Sequence, residues 1–492
     1  MGRSAERQIA PWLIDRAING LWRQDRALSA RTPHRLWQLV LAAVLLGMAL
    51  GGLVAAPDMA MPALAAILAV PFLCVVALRA AAVVQILSSP DASVERAEAS
   101  PQRDEDLPIY SVLVPLLREA EVLPALVRSL SAIDYPAAKL QILLVLESND
   151  RETRAAAAAL DLPGNFEVIV VPDRGPRTKP KALNYALELV RGEFVVVYDA
   201  EDVPAPGQIR QAVAMFRSAE PSLACIQARL NIYNPRQSWL TRQFTLEYSA
   251  LFDAILPALE RLDLPFPLGG TSNHFRVELL RRVGGWDAYN VTEDADLGFR
   301  IARAGLRAAT LASTTWEEAP ARLDNWMRQR TRWLKGWLLT YLVHTREPGR
   351  LLRDLGWRRS AGLHVLIGGM LLSALFHPLC YALIAMEVAT GGVFAEAHSP
   401  LERWLWWIAV FNLAVGYASG IAVGAVAVVR RGRPGLAWHA LLTPLYWLLI
   451  SVAGHRALLQ LMRSPYLWEK TQHGNAKADV RRSGPEPDLG ST

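Results

Sequence analysis

Cysteine is nearly absent from the chain. Only Cys74, Cys225 and Cys380 occur, an odd and scattered trio with two members in apolar runs. This excludes a disulfide-stapled fold, and no Cys–His spacing suits zinc. Lysine is almost as scarce, confined to positions 139, 179, 181, 335, 470 and 477, while arginine supplies the rest of the 52 basic residues. That bias is typical of a GC-rich bacterial genome, and it makes any pair of lysines worth inspecting. A formal charge of +6 over 492 residues is too slight to imply nucleic acid. Charge is also missing from whole stretches, and mean hydropathy is +0.18. A wholly soluble, collagenous or disordered protein is thereby excluded, and part of the chain belongs in lipid.

Residues 36–56 and 61–78 are nearly uncharged runs, each long enough for a helix across hydrocarbon, and Arg79 can snorkel from the end of the second. Runs 363–390 and 404–429 add two more. A fifth, 436–461, carries Pro444, His455 and Arg456. It is expected to be re-entrant or to run along the interface, with an ordinary crossing as the alternative. Seven arginines occupy the first 35 residues and Arg430-Arg431-Gly432-Arg433 follows the fourth run, whereas the turn at Pro57-Asp58 and residues 391–402 have no Lys or Arg. The positive-inside rule therefore places the N-terminus, the central region and the Arg430 loop in the cytosol. The first apolar run begins too late for a secretory signal. In the N-terminal arm Ile9, Trp12, Leu13, Ala17, Leu21 and Trp22 recur at helical spacing beside Arg16 and Arg23, which predicts an interfacial helix.

Residues 88–107 are polar and proline-bounded, a linker. Beyond them short apolar runs at 109–114, 141–146, 166–171 and 194–198 predict buried parallel strands, with crossover helices over 119–133, 181–190 and 206–216. This is an α/β doubly wound pattern, whose ligands bind beyond the carboxyl ends of the strands. Those ends are acidic: Glu147-Ser148-Asn149-Asp150 and Asp199-Ala200-Glu201-Asp202. Such oxygen donors suit Mg²⁺ or Mn²⁺ bridging to phosphate, although a solvated acidic loop accounts for them equally. Lys179 and Lys181 open a helix, where the macrodipole disfavours cations unless an anion binds; extension into solvent is the plain alternative.

Further on, Pro267-Leu268-Gly269-Gly270-Thr271-Ser272-Asn273 is a small-residue loop that another molecule can approach closely. Thr292 can cap a helix over 293–303, which explains Glu293-Asp294 structurally; the functional alternative makes Asp294 a general base. Gln329, Arg332 and Trp333 share one helix face, with Trp326, Trp337 and Tyr341 extending an aromatic face beside Arg328, Arg330 and Lys335. The helix reads as amphipathic and interfacial, with Trp suited to stacking on sugar and Arg to pairing with phosphate.

The ordered set resembles the membrane-embedded family 2 glycosyltransferases, among them cellulose synthase, hyaluronan synthase and bacterial exopolysaccharide synthases, over residues 109–474. QxxRW after Thr-Glu-Asp after an acidic DxD-like turn, between apolar runs, carries the resemblance. It implies a nucleotide-sugar-binding, GT-A-like α/β domain at 108–320, inserted between membrane helices at 36–87 and 361–462. The remaining parts are a basic arm at 1–35, a linker at 88–107, amphipathic helices at 321–360 and a tail at 463–492. It also implies Asp199 and Glu201 as metal ligands for Mg²⁺ or Mn²⁺ and Asp294 as the base. Donor or acceptor binding would fall to Glu119, Glu147, Lys179, Lys181, Asp202, Glu293, Gln329, Arg332 and Trp333, with Asp150 a further candidate.

The chain departs from the family where Tyr-Asn-Glu is replaced by Leu117-Arg118-Glu119 and where the DxD turn is Asp-Ala-Glu with Asp202 as a spare carboxylate. Residues 468–474, Trp-Glu-Lys-Thr-Gln-His-Gly, resemble the family's gating loop. The expected activity is inverting, metal-dependent polymerisation of a nucleotide sugar, UDP-glucose before UDP-N-acetylglucosamine, into an exported polysaccharide at the bacterial inner membrane. Other export or periplasmic subunits are expected partners, and nucleic acid is not. The alternatives are single transfer to a lipid carrier and a nucleotide-binding transporter or receptor.

Overall fold

The computed structural model describes residues 11–88, 102–390, 399–467 and 469. Most of the expected linker (89–101), and Trp468 with 470–474 of the gating-loop-like segment, lie outside the described residues.

Among the described residues eight strands form one sheet: β1 Tyr110–Leu116, β2 Leu140–Glu147, β3 Phe166–Val171, β4 Phe194–Val197, β5 Val203–Pro204, β6 Leu223–Ile232, β7 Asn273–Arg276 and β8 Arg307–Glu317. Their order is β3-β2-β1-β4-β7-β6-β8-β5. The first four pair in parallel, as their apolar runs require, and β2 is buried along its whole length. Leu113, Leu143, Val145 and Val195 face one apolar core; Val112, Ile142, Leu144 and Val196 face the other. Helices Leu123–Ser131, Lys179–Leu187 and Gln208–Ser218 stand where crossover helices are expected.

The second half departs from a wholly parallel sheet. Strand β7 runs antiparallel to β4 and β6, β6 pairs with β8 in parallel, and β5 is antiparallel to β8. Neither β7 (Asn-His-Phe-Arg) nor β8, rich in Ala and Thr, contains an apolar run that would announce a strand. The β5–β8 pairing, Val203 opposite Trp316 and Pro204 opposite Thr315, brings the end of β8 beside the acidic turn that follows β4.

Among the described residues, five helical segments are long and apolar enough to cross a membrane: Leu36–Ala55, Pro62–Ser88, Pro348–Pro378, Arg403–Arg430 and Pro434–Arg463. Arg431 leaves the fourth and pairs with Asp253 of the α/β unit.

The N-terminal helix Pro11–Gln24 turns much of its apolar stripe to protein, with Trp12 exposed and Ile9 outside the described residues. Leu13, Ile14, Ala17, Ile18 and Leu21 are buried against helix Lys179–Leu187 and its surroundings. The Asn184 side chain donates to the Ala17 carbonyl (3.0 Å) and Gln24 to that of Arg282 (2.8 Å). Ser29 and the Ala30 N–H then reach Asp287. The arm is docked on protein because a matching apolar face is available there.

The QxxRW helix, Leu323–Thr345, likewise packs much of its surface on protein. Trp326, Arg330 and Lys335 are buried, and the helix packs along Thr443–Arg463. Pro444 falls in the first turn of that last helix, where it breaks no ladder. Arg456 is matched by Glu469 (2.6 Å) and Thr331 (3.0 Å). Both ends of the helix meet the α/β unit and its QxxRW helix. Tyr446 accepts from Trp326 Nε1 (3.1 Å) and donates to Glu247 (2.8 Å), while Lys335 donates to the Leu467 carbonyl (2.6 Å).

Candidate active site

At the carboxyl ends of the strands lies a cavity of about 640 Å³. The turn after β4 supplies Asp199 and Glu201 to its wall. Asp202 lies behind that wall, almost wholly buried. Its Oδ2 accepts from the Asp199 N–H (2.7 Å) and from Thr271 Oγ1, so it shapes the turn instead of facing the cavity. Its Oδ1 has no hydrogen-bond partner among the described residues. Burial first, then the charges of Glu317, Asp199 and Glu201, push the Asp202 carboxyl well above its ordinary range.

The two lysines part ways. Lys179, first residue of its helix, donates to the Gly270 carbonyl (2.7 Å) and lies 2.5 Å from Asp199 Oδ1. Burial works against its charge, but Asp199, Glu293 and Asp294 outweigh burial and hold the ammonium above its usual range. Lys181 is fully buried and spent on Glu147 (2.9 Å) and the Arg174 carbonyl (3.2 Å), and it does not line the cavity. Glu147 does line it, with its pKa raised by burial against the pull of Lys181. Glu119 lines the same end. The backbone there is left-handed at Arg118 (φ 54°), whose N–H meets Asp150 Oδ2 at 2.5 Å. Asp150 also caps the following helix through the Thr153 N–H (3.2 Å), so it ties the Leu117-Arg118-Glu119 turn down.

The small-residue loop lets the carboxylates converge. A Cβ built on Gly270 would meet Asp294 Oδ2 at 3.1 Å and Asp199 Oδ2 at 4.0 Å. Helix Glu293–Arg303 starts where Thr292 predicts, but the Thr292 hydroxyl donates to Asn290 (3.4 Å) and makes no cap. Asp294 Oδ1 instead accepts from the Ala295 N–H (2.6 Å). Burial and the adjacent Asp294 raise Glu293 to about 8; burial also raises Asp294, opposed by Lys179 and Arg332.

Gln329, Arg332 and Trp333 form the opposite wall. Gln329 is 7% exposed, and its Oε1 has no hydrogen-bond partner among the described residues. Trp333 is seated against Phe244 and Tyr248 (ring centroids 5.9 and 6.4 Å), and the Arg330 guanidinium lies 4.6 Å from its ring and from that of Phe244. Arg330 is itself fixed by Glu247. Gly336, one turn on, permits the contact between this helix and Thr292: a Cβ there would strike Thr292 Cγ2 at 2.4 Å.

Several wall residues escape a reading of the sequence. Phe244, Tyr248 and Phe252 form an aromatic stripe at i, i+4 and i+8, a signal that was available. Glu317 ends the unannounced strand β8 and Glu318 follows it. Among the described residues no three His, Cys, Asp or Glu side chains converge closely enough to hold a metal unaided. Asp199 and Glu201 are still hard oxygen donors of the kind Mg²⁺ uses together with substrate phosphates, and the mutual repulsion of Asp199, Glu201, Asp202 and Glu317 fits a cation among them.

Residues 108–336 match the family described as "Glycosyltransferase like family 2". The chain is 26% identical over 235 residues to the "Probable glycosyltransferase YdaM" of Bacillus subtilis (strain 168), covering 47% of this chain and 56% of that protein. It is 26% identical over 306 residues to "Cellulose synthase 2" of Novacetimonas hansenii, covering 60% of this chain and 18% of the relative. It is 26% identical over 243 residues to the "Beta-monoglucosyldiacylglycerol synthase" of Trichormus variabilis, 48% of this chain and 50% of the other. The chain thus spans about half, or less, of the length of these curated relatives. Among solved structures, the mannosyltransferase PcManGT of Pyrobaculum calidifontis, in complex with GDP-Man and Mn²⁺, is 19% identical with a TM-score of 0.46, covering 80% of this chain and 99% of that one. The α/β unit is a glycosyltransferase domain of GT-A-like fold. The match to family 2 covers residues 108–336, the α/β unit together with the first part of the QxxRW helix.

Proposed function

We propose that the chain is an inverting hexosyltransferase of the polysaccharide-synthase type, taking UDP-glucose as donor and extending a glycan that leaves through the membrane. The observation that carries this reading is the convergence of Asp199 and Asp294 on Gly270, across one cavity from Gln329, Arg332 and Trp333. The Glu119–Glu147 end of the cavity would take the nucleoside, and the Trp333 end the acceptor.

In this mechanism Asp294 takes the proton of the acceptor hydroxyl; its burial-raised pKa makes it the stronger base once ionised. The acceptor oxygen bonds to the anomeric carbon as the bond to the diphosphate breaks on the opposite face. The nucleoside diphosphate departs with the electron pair, beside the cationic Lys179 and Arg332. A Mg²⁺ or Mn²⁺ ion held by Asp199 and Glu201 would supply further positive charge to the diphosphate. Glu293 would stand beside Lys179 and Arg332 as a neutral neighbour near pH 7, leaving their charge for the diphosphate. Behind the wall, Lys181 would support Glu147 and Asp202 the acidic turn.

The positive-inside pattern supports a multi-pass protein of the bacterial inner membrane with the α/β unit in the cytosol. A second reading, transfer of a single sugar to a lipid, is favoured by the apolar side chains of Leu251, Phe252 and Trp337 on the acceptor wall. Purified protein with labelled nucleotide sugars and Mg²⁺ or Mn²⁺ tests both. Polymer is expected; a monoglycosylated lipid supports the second reading, and absence of nucleoside diphosphate release with every donor defeats both.

A further inference from the structure

Among the described residues three non-glycine residues have a left-handed backbone, Arg118, Asp263 and Ser272 (φ 57°), and of these only Ser272 is fully buried. It closes the small-residue loop that lines the cavity, just before β7, whereas Gly269 and Gly270 in the same loop are not left-handed. Strand β7 pairs with β4 antiparallel, with Asn273 opposite Val197. An extended Ser272 would carry that register on, setting Ser272 opposite Tyr198 and Thr271 opposite Asp199, and the loop would run over the acidic turn. The left-handed residue ends the ladder instead. Its N–H and the Thr271 hydroxyl both donate to the Val197 carbonyl (2.7 and 3.1 Å), and the Gly270 carbonyl accepts from Lys179 (2.7 Å). Glycine takes such a backbone freely and serine does not. What serine adds is its hydroxyl, which donates to Thr315 Oγ1 at 2.6 Å. Thr315 is in turn held by Gln208 Nε2 (3.1 Å). Gln208 Oε1 accepts from Tyr198, the residue before Asp199 (2.8 Å), and from His274 Nε2 (3.2 Å), which leaves His274 Nδ1 to accept from Tyr110 (2.7 Å). Burial pushes the His274 pKa down to about 3, so the network carries no charge. All six side chains are fully buried, and none lines the cavity. Backbone strain of this kind persists where the surroundings over-determine it. Here they join both sides of the carboxylate cluster, the loop through Ser272 and the acidic turn through Tyr198.

We propose that Ser272 is a positioning residue: its hydroxyl, anchored on Thr315 and Gln208, holds the loop so that the Gly270 carbonyl orients Lys179 toward Asp199 and the donor diphosphate. This rests on the glycosyltransferase reading above. It goes beyond that reading by assigning the geometry of the donor site to a buried, uncharged network that touches no substrate.

The test uses the full-length protein in detergent, with Tm, titration calorimetry of UDP in the presence of Mn²⁺, and turnover of the nucleotide sugar that the wild type consumes. Ser272→Gly removes the hydroxyl and relieves the backbone strain together, so its Tm should not fall appreciably. Its affinity for UDP with Mn²⁺ should nevertheless drop about tenfold, the scale of one misdirected hydrogen bond, and kcat by about 10- to 100-fold. Thr315→Val keeps the shape but breaks the same link and should lose a similar amount, while Thr315→Ser, which keeps a hydroxyl, should stay near wild type. The double variant Ser272→Gly with Thr315→Val should be no worse than the poorer single one, because both changes remove one connection. Wild-type UDP affinity and kcat in Ser272→Gly overturn the proposal. So does a lowered Tm with unchanged affinity in the folded fraction, which would leave Ser272 a role in the fold alone. Losses that add in the double variant overturn the route through Thr315. Failure of the wild type to consume any nucleotide sugar is a different result, which removes the glycosyltransferase reading itself.

Discussion

Asp294 and Glu293 are adjacent carboxyls with different surroundings, and each admits its own test. Asp294 faces Gly270 and the cavity. Asp294→Asn keeps the shape and the contact with the Ala295 N–H region but removes proton affinity, so transfer should fall by at least ~10²-fold while UDP binding survives. Near-normal turnover would leave Asp294 with only a helix-start role. Glu293 titrates near 8 against an ordinary 4.5, from burial and the charge of Asp294. The folded chain therefore holds a proton that the unfolded chain releases between these values. The stabilising contribution is full below pH 4.5 and is lost as pH rises toward 8. Without metal or nucleotide, wild-type Tm should drop between pH 5 and pH 8 by several degrees more than that of Glu293→Gln, which stays neutral throughout. Equal slopes would show that Glu293 is ionised in the folded chain across this range.

Helices and strands bring these residues together, and they were legible in unequal measure. The parallel half of the sheet is announced by apolar runs, because strands buried on both faces can carry little else. Strand β8 is not, since Ala, Ser and Thr alternate through it without a hydrophobic run, and with it went Glu317. Residue type and neighbourhood point to the acidic turn, Thr292-Glu293-Asp294 and QxxRW; they do not say which side chains face inward. Lys179 and Lys181 are two apart on one helix, yet one faces the cavity and the other is buried on Glu147. Asp202 shows the same limit, one residue from Glu201 but behind the wall. The contact between the helix starting at Glu293 and the QxxRW helix depends on Gly336, where a Cβ would overlap Thr292. Gly336→Ala should push the two apart and lower kcat by about 10- to 100-fold, the scale of misplacement near 1 Å. Steady-state kinetics of Gly336→Ala with and without Thr292→Ala checks this; the second change should restore part of the loss.

At the scale of the whole molecule, the last helix decides on which side the chain ends. Tyr446 near its start bonds to Trp326 and Glu247, and the residues just past its end accept from Lys335. We propose that this helix runs along the interface, since both of its ends bond to the QxxRW helix. Ala476→Cys in a variant lacking Cys74, Cys225 and Cys380 should resist a membrane-impermeant thiol reagent added to intact cells; labelling from outside would establish the crossing. The docked N-terminal helix bears on a different matter, the making of the protein. Its partners arrive late in synthesis: Asn184 follows Ala17 by 167 residues, and Arg282 follows Gln24 by 258. Until both are in place, Leu13, Ile14, Ala17, Ile18 and Leu21 have no protein surface to cover them. The arm's apolar stripe is thus covered only after residues 184 and 282 have been made and folded, so this part of the native core closes late in synthesis.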